Sequence, residues 1–297
     1  MLLFAWNNLW RERLRFGITV GGVAMAVLLI LAMNGIFASS GRQITAYIDR
    51  SNADLFIAQA GVRNMHMATS VLLPQTAEQV RKAPGVERVE RIIYFQAMLE
   101  WQGEGDLLYA IGLESDATMG GPWSMASGKA VPGPGEIVIS ERQRKGESPQ
   151  LGDTVRMGGR DLKVVGLSRE TKSLASSLVF LNEQDAAAMR GGGRINYLLV
   201  RVQPGANVET VAESIRSRAP DAAVLTREEM SLSDRELALQ MGVEILAIMS
   251  AVGFLIGLAV VTLTIYSATV AQIRQYAVLK AIGAGPGPLF AAVASQG

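Results

Sequence analysis

His66 is the only histidine in this chain of 297 residues, and it stands between Met65 and Met67. An imidazole with two thioethers can ligate haem iron or copper. Adjacent residues of a strand or loop point in different directions, however, and methionine is also a ready filler of irregular apolar space, so plain packing accounts for the cluster as well. Other chemistry is missing its parts. With no cysteine and one histidine, the usual zinc constellations are excluded. Gly128-Lys129 is followed by Ala130 and lacks the upstream glycine of a phosphate-binding loop. Gly166-Leu167-Ser168-Arg169-Glu170 approaches a nucleophile elbow but lacks the closing glycine, and His66 precedes that serine, the wrong order for such a hydrolase. No catalytic residue is assigned, and any nucleotide must be bound by another chain.

The second cluster of interest is mechanical. Arg274 to Ala284 is a short basic, amphipathic run that directly follows the uncharged stretch Ile245 to Ile273 and is stopped by Gly283 and the Gly-Pro pairs at Pro286 and Pro288. It is suited to being held at a membrane surface and pressing on a partner.

The elements that would position these residues follow from hydropathy. Apolar residues make up 49% of the chain and charged residues only 19%, which favours a membrane protein. Gly17 to Phe37 and Ile245 to Ile273 are each free of charge and long enough to cross about 30 Å of hydrocarbon. Arg11, Arg13 and Arg15 precede the first span, and Arg274 and Lys280 follow the second, so both ends are expected in the cytoplasm. Leu3, Trp6, Trp10 and Leu14 share helical spacing and suit a helix lying in the interface. A cleaved signal peptide fits poorly, because Ile36-Phe37-Ala38 lacks the small residue three before a cut.

Roughly two hundred residues then lie outside, enough for one domain or two lobes. Without cysteine they must be held by their own core. Strand patterns cover Asp54 to Ala58 and Val86 to Trp101, with a helix over Thr76 to Lys82 between them. A similar unit returns as strand Tyr197 to Val202, helix Val208 to Arg218 and strand Ala222 to Leu225. The helices end alike, in Lys82-Ala83-Pro84 and Arg218-Ala219-Pro220, which suggests a split pair of βαβ-type units. Between them, Asp106 to Leu113, Glu136 to Ile139, Asp153 to Met157, Leu162 to Leu167 and Ser177 to Leu181 read as strands of a β-rich lobe, with Gly158-Gly159 a hairpin turn. Gly120 to Gly135 and Arg142 to Gln150 read as surface loops. Ser233 and Glu236 have capping-box spacing, so one helix is expected from near Asp234 to near Gly283, about 75 Å long. Gly17 with Gly21, and Gly253 with Gly257, allow close helix packing and a homodimer.

The order of these parts, with Asn-Leu-Trp-Arg-Glu-Arg-Leu-Arg-Phe at Asn8 to Phe16 and Tyr-Ala-Val-Leu-Lys-Ala-Ile-Gly-Ala at Tyr276 to Ala284, resembles the MacB/FtsX-like permeases of ABC transporters. It looks closest to the DevC and haem-exporter-like branch. The resemblance implies an α/β membrane protein in which two transmembrane helices, of an expected four, flank a two-lobed extracytoplasmic α+β domain. Residues 1–16 would be the cytoplasmic interfacial helix, 17–37 the first span, 38–236 the MacB-like periplasmic core domain, and 237–273 the stalk and second span. Residues 274–285 would be the coupling helix and 286–297 the start of a third span, so the chain is expected to be truncated before spans three and four.

The resemblance also implies a bacterial inner-membrane location, a permease homodimer, a separate cytoplasmic ABC ATPase that binds the ATP, and a membrane-fusion adaptor. Arg274, Tyr276, Val278, Leu279, Lys280 and Ile282 would couple to that ATPase. No cofactor in this chain and no nucleic-acid partner is expected. The function implied is export driven by mechanotransmission; the alternative is an FtsX-like regulator that activates an outer partner without transporting anything.

Overall fold

In the computed structural model, the described residues are 45–66, 68–141, 148–171, 177–192 and 194–271, together with residue 277 and scattered positions between 20 and 35. The chain divides into two compact units, Ser39–Leu239 and a second made of Met1–Ala38 with Gln240–Gly297. In chain order the elements are α1 (Ala46–Asp49), β1 (Leu55–Gln59), α2 (Pro74–Arg81), β2 (Val86–Trp101), β3 (Glu104–Leu113), β4 (Met125–Gly128), β5 (Glu136–Ser140), β6 (Thr154–Met157), β7 (Arg160–Ser168), β8 (Leu178–Asn182), α3 (Glu183–Met189), β9 (Tyr197–Val202), α4 (Val208–Arg218), β10 (Ala222–Thr226) and α5 (Arg227–Ala271).

The strands of the first unit follow one path, β10-β1-β9-β2-β3-β8-β5-β7-β4, with β6 pairing β2 and β7. Its first four strands are all antiparallel neighbours. Since β1 and β2 both run opposite to β9, they are parallel to each other, and α2 is the crossover between them. The same holds for β9 and β10 around β1, with α4 as crossover. This is the split βαβ arrangement. Both helices lie on one face: Ala77 and Val80 of α2 and Val211, Ala212 and Ile215 of α4 pack on Leu55, Ile57, Leu198 and Val200. The other face buries Phe56, Tyr197, Leu199 and Leu225. Strands β1 and β9 are thus covered on both sides, which is why they read as nearly continuous apolar runs. Pro74 suits the first turn of α2, and the Asn207 side chain accepts from the Thr210 N–H at 3.1 Å to cap α4.

The β-rich part is inserted between β2 and β9. Strand β2 serves both parts: Val86 to Ile92 pair with β9, and Ile93 to Trp101 pair with β3. Two hairpins have both central residues at positive φ, Gln102-Gly103 between β2 and β3 and Gly158-Gly159 between β6 and β7. Their backbone twist matches that of the flanking strands. Leu99, Leu108, Ile137, Val164 and Leu181 are among the residues that fill the core of this part.

Two expectations are corrected. The stretch Gly120 to Gly135 is not all loop, because β4 lies within it and pairs with β7. The two backbones cross closely there: a Cβ on Gly166 would sit 2.1 Å from the Lys129 carbonyl oxygen, so only glycine fits. Helix α5 starts at Arg227, seven residues before Asp234. Its capping box is Thr226 with Glu229: the Glu229 N–H donates to Thr226 Oγ1 at 3.1 Å, and the Thr226 N–H donates to the Glu229 carboxylate at 2.8 Å. The chain passes from β10 into α5 without a loop, so the earlier pair wins and Ser233 is inside the helix. Helix α3, capped by Asn182, has no counterpart among the expected elements.

Helix α5 has 45 residues, about 68 Å at the usual rise. Among the described residues no helix is long and apolar enough to cross a membrane; the side chains at 238, 241–246, 260, 264–265, 267–269 and 271 of α5 are outside that description.

Candidate functional site

The segment between β1 and α2 is fastened to the first unit residue by residue. Leu72 bridges to Ile195. Asn196, 1% exposed, donates from Nδ2 to the Ser70 carbonyl at 2.6 Å and accepts from the Tyr94 N–H at 2.9 Å. The Tyr197 hydroxyl is 3.2 Å from the carbonyl oxygens of both Asn64 and Ala68. These bonds hold the loop that carries His66 against β9 and β2.

Across from it stands Asp234, two turns into α5. Its carboxylate is fully buried and both oxygens are used on this loop: the Met65 N–H donates to Oδ1 at 2.9 Å, and His66 Nδ1 lies 3.0 Å from Oδ2. With a carboxylate as acceptor, Nδ1 carries the proton. The pair joins positions 168 residues apart in the chain. An acid placed in an apolar interior is tolerated only when its lone pairs are met in this way.

Around His66 lies an aromatic cluster. Tyr94 and Tyr109 stack with centroids 5.2 Å apart, and the His66 ring meets them edge-on at 6.4 and 5.8 Å. Tyr197 meets Tyr94 edge-on at 6.3 Å. Burial, reinforced by neighbouring phenols and by Asp234, pushes the Tyr94 hydroxyl well above the usual phenol range; burial and Asp234 do the same to Tyr197. Both therefore stay neutral. The Tyr94 hydroxyl is buried and has no hydrogen-bond partner among the described residues.

The cluster forms one wall of a cavity of about 670 Å³. Met65, His66, Ala68, Phe95, Met98, Tyr109, Met189 and Arg190 line it, with Glu100 and the Gly158-Gly159 turn. The Arg190 guanidinium is committed: it donates to the Tyr94 carbonyl at 3.1 Å and to Asn196 Oδ1 at 3.2 Å, and lies over Phe95 at 5.9 Å.

Of the three residues able to ligate haem iron or copper, Met65 is 1% exposed and packed in the core, His66 lines the cavity, and Met67 falls outside the described residues. Among the described residues no group of three or more His, Cys, Asp or Glu side chains is placed to hold a metal. Arg274, Tyr276, Val278, Leu279, Lys280 and Ile282 all fall outside the described residues. Sequence reasoning missed Asp234, Asn196 and the three tyrosines as a group. Asp234 is one of several acids between Arg227 and the uncharged run from Ile245, so nothing local sets it apart, and its place after Ser233 reads as a helix start.

A second buried carboxylate is structural. Glu90, on β2, accepts from Arg88 Nε at 2.5 Å, from the Thr118 N–H and hydroxyl and from the Met119 N–H at 2.9 Å each. It pins the loop after β3 to the sheet. Arg88 also holds Asp116, at 2.7 Å.

The fold and this site define a domain built on a split βαβ sheet and joined through a buried acid to a long helix. The model of the MacB-like periplasmic core domain matches residues 16–218. The chain belongs to that family, and with it to the MacB/FtsX-like permeases. A protein of Mycobacterium tuberculosis named as an uncharacterized ABC transporter permease is 22% identical over 288 residues, covering 97% of this chain and 78% of that protein. A second one from the same species is 20% identical with the same coverage. Among solved structures, the periplasmic region of MacB from Actinobacillus actinomycetemcomitans is 16% identical and covers 60% of this chain and 90% of its own, with a TM-score of 0.46. The extracellular domain of the ABC-type transporter YknZ from Gram-positive bacteria is 14% identical, covering 58% and 98%, with a TM-score of 0.45.

Proposed function

We propose that this chain is the permease subunit of an ABC-type exporter in a bacterial inner membrane, and that α5 carries movements of a separate cytoplasmic ATPase to the outer domain. The observation that carries the reading is the make-up of α5. It is one unbroken helix whose early turns are clamped into the domain through Asp234, and whose later part is apolar on every side. Phe254, Leu255 and Ile256 are consecutive and each more than half exposed, as are Ile248, Leu258, Leu263 and Tyr266. A helix apolar all round belongs in hydrocarbon or in a large core. No charge occurs from Ile245 to Ile273, which suits a span.

Beyond the span, Tyr276, Val278, Leu279 and Ile282 offer apolar contacts to the ATPase, with Arg274 and Lys280 placed for acidic groups or lipid headgroups. A helix held at both ends passes an axial or tilting displacement on without needing a further hinge, the kind of rigid-body switching known for domain closure. A homodimer and an adaptor belong to the same proposal.

The test is Leu279→Asp with Ile282→Asp in the full chain with its ATPase. Loss of ATPase co-purification and of export, with the outer domain still folded, is expected; retained docking and export refute the reading. Activation of an outer partner with no substrate-dependent efflux would instead identify the FtsX-like regulator.

A further inference from the structure

We propose that the cavity beside β2 is a docking slot for an extended peptide, which adds a strand to the open edge of β2 and carries apolar side chains at alternate positions. The edge of β2 that β9 occupies up to Ile92 is taken again by β6 only from Leu99, and both of those strands run antiparallel to β2. From Ile93 to Met98 that edge has no strand partner among the described residues. The open part from Tyr94 to Met98 measures roughly 13 Å along the strand, room for about four residues of an extended chain.

The neighbouring ladder fixes which way the main chain points. The Tyr109 N–H donates to the Ser177 carbonyl at 2.9 Å, on the β8 side, so Tyr109 turns its main-chain groups away from β2. Its partner across the β2–β3 ladder is Gln96. The two form a non-hydrogen-bonded pair, and Gln96 turns its own N–H and C=O to the open edge. Tyr94, two residues earlier, has the same sense and shows how such groups are met: its N–H donates to Asn196 Oδ1 at 2.9 Å, and its carbonyl accepts from the Arg190 guanidinium at 3.1 Å. Among the described residues no side chain does the same for Gln96, which lines the cavity of about 670 Å³. A donor and an acceptor side by side on a strand edge are what another strand pairs with.

The side chains around the slot set the pattern of the peptide. A residue opposite Gln96 shares its face of the sheet, with Met98 and Tyr109 as neighbours. The residues before and after it fall on the face of Phe95 and Ala97, which with Met189 pack at the margin of the apolar core of the β-rich part. Branched apolar side chains at these alternate positions extend that core. The proposal rests on the sheet and its cavity and not on the exporter reading above.

The experiment uses the full chain in zwitterionic lipid nanodiscs, without any ATPase. The probe is a fluorescein-labelled peptide of alternating threonine and valine between terminal lysines. A saturable rise in anisotropy above that of empty discs is expected, with slower amide exchange at Gln96 and none at the other sheet edge, residues 222–226. With valines on the Phe95 face, the threonine N–H groups point at β2. N-methylation of the threonines should therefore weaken binding about tenfold or more, and N-methylation of the valines less than about threefold. Gln96→Pro removes the N–H at the open edge and no bond of the β2–β3 ladder, so it should weaken binding about three- to tenfold. No saturable binding, equal losses for the two methylated peptides, or slowing at 222–226 in place of Gln96 overturns the proposal. Protection of Gln96 that needs no peptide and rises with protein concentration would assign the edge to a second copy of this chain and overturn it too. The methylated pair decides even where Gln96→Pro does not fold.

Discussion

Replacing Asp234 by asparagine changes one atom type in the clamp between the outer domain and α5. In the wild type, Oδ1 accepts from the Met65 N–H and Oδ2 from His66 Nδ1, with no solvent reaching the carboxylate. Asparagine keeps one acceptor oxygen for the Met65 N–H and turns its NH₂ group toward His66 Nδ1, so the bond from Nδ1–H to a charged acceptor is lost and the ring must change tautomer to be met at all. The lost interaction is a hydrogen bond to a charged group, about 1.5–3 kcal/mol. Since every ~1.4 kcal/mol is a factor of ten, opening of the 60–73 loop should become roughly 10- to 150-fold more frequent.

Amide hydrogen exchange of peptides covering Met65 reads that opening directly, because the Met65 N–H is itself the donor. The exchange free energies of Asp234→Asn, His66→Ala and the double variant then form a cycle. Contacting residues should show an interaction term of about 1–3 kcal/mol. Additivity within about 0.5 kcal/mol would refute the clamp, as would unchanged exchange at Met65 in Asp234→Asn.

Glu90→Ala leaves the Thr118 and Met119 N–H groups unmet in a buried site, so a loss of about 3–5 kcal/mol in urea unfolding is expected, with the loop after β3 first to lose exchange protection. Gly166→Ala drives a Cβ into the Lys129 carbonyl and should destabilise the β4–β7 pairing by about 1–3 kcal/mol, whereas the same change at Gly159, which meets nothing within 4 Å, costs only its positive-φ strain; thermal unfolding of the two variants compares them. Asp116 is held below the usual carboxylate range by its hydrogen bond from Arg88, and Glu136 by the Gly133 N–H. Their folded pKa values are depressed, so the stability they add is present above about pH 4 and is lost as pH falls through the folded values; a pH series of urea midpoints should drop on the acid side, and Arg88→Met should flatten part of that drop.

Much of the fold is readable along the chain because its signals are local. Apolar runs at Leu55–Gln59 and Tyr197–Val202, helical spacing at Ala77/Val80 and Val211/Ile215, and the matching Ala-Pro ends after α2 and α4 place the two βαβ-type units. The Gly158-Gly159 turn is equally local, since positive φ at two successive residues calls for glycine. Where the local signal was duplicated, it misled: Thr226/Glu229 and Ser233/Glu236 both have capping spacing, and only the end of β10 at Thr226 decides between them.

Composition and charge order in the amino-acid sequence alone favoured a membrane protein and showed no phosphate-binding loop, and local patterning placed most strands and helices, though not β4, α3 or the start of α5. Each depends on neighbours in the chain. The tertiary structure decided that β9 enters between β1 and β2, that β2 belongs to both parts of the domain, and that Asp234 is buried against a loop 168 residues earlier. These depend on which distant segments exclude water together. A carboxylate eleven residues before an uncharged helical run, with Glu236 and Glu244 between, looks like surface until the loop that meets its two oxygens is folded over it.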